Sequence, residues 1–406
     1  MPKTKRKVSW DVVRVVAVLS VVVGHITRQG PIDHPELGPF AVYLPLLFGA
    51  NTLLVVSAFF ICVTVRRGRT GRWLGHRLAR VVPPYLFAVV VTYLVLRTVT
   101  PVFGWYTPTP RDLAANLLMV QAWSPDFHYI DASYWTMPAQ VLAFACAALL
   151  APRRWLRGPA LTGLLWALIL VPVAWAEINR RNPDAELLHA MFSGLTLHRA
   201  ALFGIGVVVY LWTRERLSGR HVAAYVLATL AALEYHTESA DTPSTIAFGI
   251  ALTALAAAAG GPDWNIGPLA RPVTWLAGIS FGVYLVHQEL GYVFARVLVW
   301  LGVGATGRFV LCVTMAVVLG WALTRAVEGP AHAWLTSGGP ERAMRVAKAI
   351  GRALRDLPQI PQPQGSNAGG SPLSADAGPR SVNQASTAAA GPRTSVAAVP
   401  ASANDA

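Results

Sequence analysis

Long apolar stretches alternate with short polar stretches along the first 335 residues of the chain. A helix needs about 20 apolar residues to cross a bilayer, because each residue rises about 1.5 Å and the hydrocarbon core is about 30 Å thick. On that criterion the sequence predicts about ten spanning helices and leaves open a further short or re-entrant helix within 113–122. The predicted ranges are 9–27, 40–65, 82–102, 133–151, 159–176, 199–213, 221–236, 244–260, 274–300 and 307–326.

Positive charge collects in alternate connections between these helices. Basic clusters precede the first predicted helix and follow the second, fourth and sixth, whereas the other loops carry residues such as Asp33, His128 and Glu186. Lys and Arg accumulate on the cytoplasmic side of membrane proteins. We therefore expect a multi-pass protein of the plasma membrane with both termini in the cytoplasm. The main exceptions to the alternation are Arg180, Arg181 and Arg199.

The composition agrees with a membrane protein. Only 13% of the residues are charged, against about 25% in soluble domains, and 54% are hydrophobic. The net charge of +14 lies mostly in short loops without a nucleic-acid motif, so we expect the lipid bilayer and no nucleic acid as a partner. The three cysteines, Cys62, Cys146 and Cys312, lie in apolar stretches at spacings that match no metal site, and we expect neither a disulfide nor a metal.

The composition changes towards the C-terminus. Basic residues within 336–356 predict a short amphipathic segment on the anionic leaflet of the membrane. Residues 357–406 are rich in Pro, Gly, Ser and Ala and poor in large apolar side chains, which predicts disorder. The expected fold class is thus all-α: a polytopic transmembrane bundle over 1–335, with a disordered cytoplasmic tail.

The first predicted helix carries three ionisable residues, Asp11, Arg14 and His25. Such residues are costly in a membrane and by default indicate a functional site that faces the protein interior. Arg14 and His25 are 11 residues apart, which places them on one helical face and roughly 16 Å apart along the axis. Asp11 lies one turn before Arg14, where we expect the two to pair. The alternative is an Arg that snorkels to the interface and a capping His.

Four polar groupings in the apolar background form a recognisable set. They are Arg14 with His25, Ser57-Ala58-Phe59-Phe60 followed by Arg77 to Tyr85, Tyr134-Trp135-Thr136 to Gln140, and Ile279-Ser280-Phe281 to His287 with Glu328-Gly329-Pro330. In order and spacing this set resembles the acyltransferase 3 family over about 8–335. The resemblance implies a membrane O-acyltransferase that moves an acyl group, often acetyl, from coenzyme A to a hydroxyl of a carbohydrate, a cell-envelope glycan or a natural product. It implies acyl-CoA as co-substrate and no tightly bound cofactor.

The resemblance also assigns site residues. Arg14 and His25 correspond to the family residues most firmly tied to activity. The chemistry of the two side chains agrees with such a role. A His can take the proton of an attacking hydroxyl, and an Arg can stabilise negative charge. We expect substrate contacts from the remaining motif residues, which are Asp11, Arg77, Arg80, Tyr85, Trp135, Gln140, Ser280, Tyr284 and His287.

Arg77 and Arg80 lie at i and i+3 of a predicted short cytoplasmic helix, which Pro83-Pro84 would end before the third span. They either grip the phosphates of coenzyme A or set topology and contact lipid phosphates. His287 falls within the ninth predicted span on the same side as Ser280 and Tyr284, as an acceptor-site residue or as one bonded to a neighbouring helix. Glu328 is expected to be structural and paired with an Arg.

Two motif positions depart from the family pattern. Ala58 stands where Gly is common, and we expect Ser57 and Ala58 to serve helix packing. Gln140 stands where many members have Glu, and an amide cannot supply the missing charge. The position is therefore structural, or another acid such as Asp11 or Asp131 replaces it, or the protein is catalytically impaired.

Two other functions fit intramembrane Arg and His residues. One is a transporter or flippase of an acyl donor or of a lipid-linked substrate, although the chain has no paired broken helices. The other is a non-catalytic scaffold, which the Gln140 departure favours. A separate envelope-biosynthesis protein would be needed to relay an acyl group to a distant acceptor.

Overall fold

The computed structural model describes residues 6–65, 68–153, 158–236 and 241–338, and every regular element within these ranges is helical. The predicted amphipathic segment and disordered tail fall almost entirely on 339–406, which lie outside the described residues. Arg66 and Arg67 of the predicted cytoplasmic loop also lie outside them. The expected all-α helical fold is confirmed.

Fourteen helices of eight residues or more lie within the described ranges, with short 3₁₀ and π-helical turns between some of them. They are α1 (Val8–Gly24), α2 (Gly49–Thr64), α3 (Thr70–Phe103), α4 (Pro110–Leu117), α5 (Thr136–Leu150), α6 (Pro159–Arg181), α7 (Glu186–Gly194), α8 (Ala200–Trp212), α9 (Gly219–His236), α10 (Thr242–Gly260), α11 (Ala270–Val286), α12 (Glu289–Trp300), α13 (Ala305–Leu323) and α14 (Gly329–Thr336).

Eight helical segments of the described chain are long and apolar enough to cross a membrane, whereas the sequence predicts about ten. Two predicted spans are not among the eight. The apolar helix α2, within the predicted span 40–65, has only 16 residues, and α9, which corresponds to the predicted span 221–236, is not among the eight. The predicted span 274–300 is divided between α11 and α12, and only the part that ends at Val286 is counted. The possible extra helix within 113–122 corresponds to α4, Pro110–Leu117.

The first third of the predicted span 40–65 is not helical. Residues 41–48 have no regular secondary structure, and α2 begins only at Gly49. Pro45 cannot donate a helical hydrogen bond. The backbone N–H groups of Leu44 and Leu47 donate instead to the hydroxyls of Thr27, at 3.1 Å, and Ser244, at 2.8 Å. Side chains of distant helices thus hold this segment extended.

The prediction that Pro83 and Pro84 end a helix is wrong. They lie inside α3, which continues for 34 residues from Thr70 to Phe103. Proline removes an N–H donor, but its fixed φ is compatible with a helix. Packing of α3 against α14, α5 and α12 covers the apolar residues on both sides of the two prolines, which keeps the helix continuous.

Helix α1 lies at the centre of the bundle and packs against α11, α2 and α10. Helix α1 is part of the candidate span Val8–Asp33, and 72% of the most apolar 18-residue stretch of that span is buried inside the protein. This is the largest share among the eight candidate spans. The polar residues of α1 therefore face other helices more than lipid, which argues against the snorkelling alternative.

The contact between α2 and α8 is especially close. A Cβ atom added at Gly206 would lie 2.5 Å from Cβ of Ala58 and 2.6 Å from the carbonyl oxygen of Val55. Small residues allow helix backbones to approach in this way. The expected packing role therefore fits Ala58, whereas Ser57 lines a cavity described below.

Candidate functional site

A cavity of about 170 Å³ lies between α1, α2, α3, α5 and α11. Three arginines from two helices line it: Arg14 from α1, and Arg77 and Arg80 from α3. None of the described residues that line it is Asp or Glu. The other polar residues in its wall are Ser57, Thr136, Gln140, Ser280 and Tyr284. Such a cavity favours an anionic occupant, because like charges in a partly enclosed space need a counter-charge.

Among the described residues, no carboxylate lies within 4 Å of the Arg14 guanidinium, although the charge of Asp11 acts on it from a longer distance. The Arg14 side chain is half-buried, and its Cζ lies 5.9 Å from the centroid of the Phe60 ring. A guanidinium presents five donors in a planar fork. Arg14 therefore offers unused donors to whatever enters the cavity.

The expected ion pair between Asp11 and Arg14 is wrong. Asp11 is buried and accepts two hydrogen bonds from Arg6, at 2.7 and 2.8 Å. It also accepts one from the hydroxyl of Thr274, at 3.2 Å. The carboxylate thus ties the start of α1 to α11 and is not among the residues that line the cavity.

Arg77 and Arg80 line the cavity but are held differently. Arg77 donates to the carbonyl of Phe60, at 3.1 Å, and to the hydroxyl of Thr64, at 2.6 Å, which fixes it against the end of α2. Nε of Arg80 lies 3.1 Å from Oε1 of Glu328, the last residue of a π-helical turn after α13. Glu328 thus has an Arg partner, as expected, and it neutralises part of the charge at one side of the cavity.

The opposite wall is neutral and hydrogen-bonded. The hydroxyl of Tyr284 donates to the carbonyl of Ser133, at 2.9 Å, and accepts from the hydroxyl of Thr136, at 3.1 Å. Gln140 also faces the cavity. Of the two acids considered as replacements for its missing charge, neither Asp11 nor Asp131 is a lining residue.

His25 does not line this cavity but lies against His287 beyond Tyr284. Nδ1 of His25 is 2.9 Å from Nε2 of His287, and both rings are buried. The centroid of the Tyr284 ring lies 5.6 Å from that of His287. The structure therefore joins His25 to the cavity through Tyr284 and His287.

The position of His287 depends on a helix break that the sequence prediction missed. His287 was expected within a single span, but α11 ends at Val286 and α12 begins at Glu289. The buried carboxylate of Asp131 accepts a hydrogen bond from the backbone N–H of Glu289, at 3.1 Å, and so satisfies one donor of the new helix start. Asp131 therefore stabilises the break.

Two other predicted site residues lie away from the cavity. Tyr85 is fully buried and donates to the carbonyl of Asn116, at 2.6 Å, which anchors α4. Trp135 lies under the guanidinium of Arg199, with 4.9 Å between Cζ and the ring centroid. Neither is a lining residue, so their contacts indicate roles in positioning neighbouring segments.

Two π-helical turns coincide with residues that the sequence singled out. One, His25–Gln29, begins at His25, and the other, Thr324–Glu328, ends at Glu328. Such turns are rare and occur frequently at functional sites. The length of an apolar stretch does not reveal them, because it is the same whether a turn is α-helical or π-helical.

A polar cluster around Asp112 orders the connection between α3 and α5. Desolvation raises the pKa of Asp112, but hydrogen bonds from the backbone N–H groups of His128 and Thr109 and from the hydroxyls of Tyr106 and Thr109 outweigh it and lower that pKa to about 2. Asn116 adds a hydrogen bond to the carbonyl of His128, at 2.9 Å. This cluster holds the segment that leads to Asp131.

Comparison with known proteins identifies one relationship. The family model Acyl_transf_3, described as an acyltransferase domain, matches residues 7–325. This range includes every cavity-lining residue as well as His25 and His287. No curated protein and no solved structure shows a significant match to the chain.

Proposed function

The chain belongs to the acyltransferase 3 family, and from this we propose that it is a membrane O-acyltransferase with acyl-CoA as the donor. The acyl group is acetyl in this proposal. The acceptor is a hydroxyl group of a carbohydrate, a cell-envelope glycan or a natural product. The protein is placed in the plasma membrane with both termini in the cytoplasm, where acyl-CoA is made.

The observation that carries this proposal is the cavity with three arginines and no acidic lining residue. Coenzyme A is an anion with several phosphate groups, and guanidinium groups bind phosphate through charge-assisted, often bidentate hydrogen bonds. Arg80 is more than half exposed, with 56% of its side chain accessible, so it can meet the phosphates near the surface. Arg14, deeper in the wall, is available to a further anionic group of the donor.

In the proposed reaction the acceptor oxygen attacks the carbonyl carbon of the thioester. A new C–O bond forms, the C–S bond breaks, and coenzyme A leaves as a thiolate that takes up a proton. The proton of the acceptor hydroxyl passes to the imidazole of His25. Arg14, roughly 16 Å from His25 along α1 and part of the cavity wall, holds an anionic group of the donor. With the start of α1 inside, Arg14 lies on the donor side and His25 nearer the outer face.

The test uses membranes that contain the full-length protein and acetyl-CoA labelled in the acetyl group. We expect label in a membrane-associated or secreted product and release of coenzyme A. His25→Ala, at equal protein level, should abolish both. His189→Ala is the matched control, because His189 is not a lining residue and its ring contacts the carbonyl of Asn182 instead.

The outcomes separate this function from its two rivals. Transfer that persists in His25→Ala would contradict the assigned base. Uptake of label without transfer would favour the transporter, and neither uptake nor transfer would favour the scaffold. Mass spectrometry of envelope glycans and secreted metabolites, with and without the protein, then identifies the acceptor by its lost acyl increment.

A further inference from the structure

We propose that His287 is a positioning residue that holds His25 in the tautomer protonated on Nδ1, so that Nε2 of His25 is free to take the proton of the acceptor hydroxyl. The inference rests on the proposed function, in which His25 is the base. It gives His287 a role different from the acceptor contact expected from the sequence.

The argument begins at the backbone of α11. Nδ1 of His287 lies 2.8 Å from the carbonyl oxygen of Tyr284, which is an acceptor only. Nδ1 of His287 must therefore carry the hydrogen. Tyr284 belongs to the last turn of α11, where carbonyl groups lack helical partners. The end of the helix thus supplies a fixed acceptor for His287.

The second step passes from His287 to His25. A neutral imidazole has one N–H, so Nε2 of His287 carries a lone pair. Nδ1 of His25 lies 2.9 Å from Nε2 of His287 and must donate to its lone pair, since the opposite tautomer would place two lone pairs against each other. Nε2, on the other edge of the His25 ring, is then unprotonated.

Burial favours this neutral arrangement. His25 is 5% exposed and His287 is 0% exposed, and no carboxylate of the described residues is hydrogen-bonded to either ring. A buried imidazolium without such a partner is costly. Each of the two hydrogen bonds therefore has one stable direction: His287 donates to the carbonyl of Tyr284, and His25 donates to His287.

One buried polar atom near His25 indicates where a hydroxyl-bearing ligand binds. Oε1 of Gln288 has no hydrogen-bond partner in the described part of the chain, and the residue is 1% exposed. The side chain of Gln288 interacts with both His25 and Tyr292. The Tyr292 ring packs on Gly30, directly after the π-helical turn of His25. A hydroxyl group of the acceptor offers the donor that this oxygen lacks.

The first test is independent of enzyme activity. The full-length protein, labelled with ¹⁵N-histidine and placed in bilayers, reports the protonation of each ring nitrogen by solid-state NMR, with His25 assigned by its loss in His25→Ala. We expect His25 protonated on Nδ1 in the wild type. His287→Gln, whose amide oxygen can replace Nε2 as acceptor, should keep this pattern, and His287→Leu should lose it. A His25 protonated on Nε2 in the wild type would overturn the proposal, as would an unchanged pattern in His287→Leu.

The second test measures acetyl transfer in membranes supplied with labelled acetyl-CoA. We expect His287→Leu to lower kcat on the order of a hundredfold, with KM for acetyl-CoA unchanged, and His287→Gln to retain most of kcat. A wild-type kcat in His287→Leu, with active wild-type protein, would refute the positioning role and leave the proposed function intact. Absence of transfer by the wild type would instead refute the proposed function, and the NMR result would still decide the tautomer.

Discussion

Nε of Arg80 lies 3.1 Å from Oε1 of Glu328 across 248 residues of sequence, and this pair stands at the side of the arginine-lined cavity. Glu328 is 6% exposed, whereas the Arg80 side chain is 56% exposed. The carboxylate therefore depends on Arg80 for compensation, while most of the Arg80 side chain stays accessible. Structural and binding roles of Arg80 can be separated by removing each partner.

Arg80→Ala should lower the melting temperature and raise KM for acetyl-CoA. It leaves the Glu328 carboxylate buried without its partner, which is destabilising, and it removes a cation from the cavity. Adding Glu328→Gln should restore the melting temperature but not KM. Thermal unfolding in detergent and donor kinetics test the cycle, and recovery of both quantities in the double variant would contradict a direct contact with the donor.

Arg14→Gln should raise KM for acetyl-CoA at least about tenfold without lowering the melting temperature. No carboxylate of the described residues lies within 4 Å of Arg14, so its removal breaks no short ion pair. Arg308→Gln is the matched control: its buried guanidinium donates to the carbonyls of Leu37 and Pro39. That variant should lose about 1–3 kcal/mol of stability with KM unchanged. Destabilisation by Arg14→Gln would assign Arg14 a structural role.

Gln140→Glu should raise KM for acetyl-CoA several-fold. A carboxylate at this lining position would pair with a cavity arginine and compete with the anionic donor. Gln140→Leu removes the amide without adding charge and controls for its loss. If Gln140→Glu instead raises kcat at unchanged KM, the position is the missing catalytic acid of the family pattern.

Asp112→Asn should destabilise the protein at neutral pH but not in strong acid. The pKa of Asp112 is lowered in the folded protein, from an ordinary value of 3.8 to about 2. Its ionised form therefore stabilises the folded state above 3.8, and this contribution is lost as the pH falls towards 2. Melting temperatures across this range should show the wild type and the variant converging. A constant difference would show that the carboxylate charge is not responsible.

Gly206→Leu should destabilise the bundle by about 1–3 kcal/mol or more, because any side chain there meets the backbone and side chain of α2. Gly163→Leu is the control, since a Cβ atom at Gly163 in α6 has no atom within 4 Å. Melting temperatures of the two variants test the prediction, and equal effects would contradict the close approach of α2 and α8.

The local sequence pattern determined the helices, the family and several of the candidate site residues. Apolar stretch length predicts helices, because a lone span must satisfy its own backbone hydrogen bonds in lipid. The order of the motifs identified the family, and the i, i+3 spacing brought Arg77 and Arg80 to one cavity. Where the periodic pattern was interrupted, at Pro45 and between Val286 and Glu289, length alone overextended the helices.

Only the tertiary structure decided which polar groups meet. Asp11 lies one turn from Arg14 but pairs with Arg6. Arg80 pairs with Glu328, and His25 contacts His287, although each pair is separated by more than 200 residues of sequence. These pairings are set by how the helices cross, and helix crossing depends on packing at positions such as Gly206, which periodicity does not encode. The sequence therefore determined the helices and the candidate residues, and the packing of α1, α3 and α11 decided which of them form a cavity and which form the histidine pair.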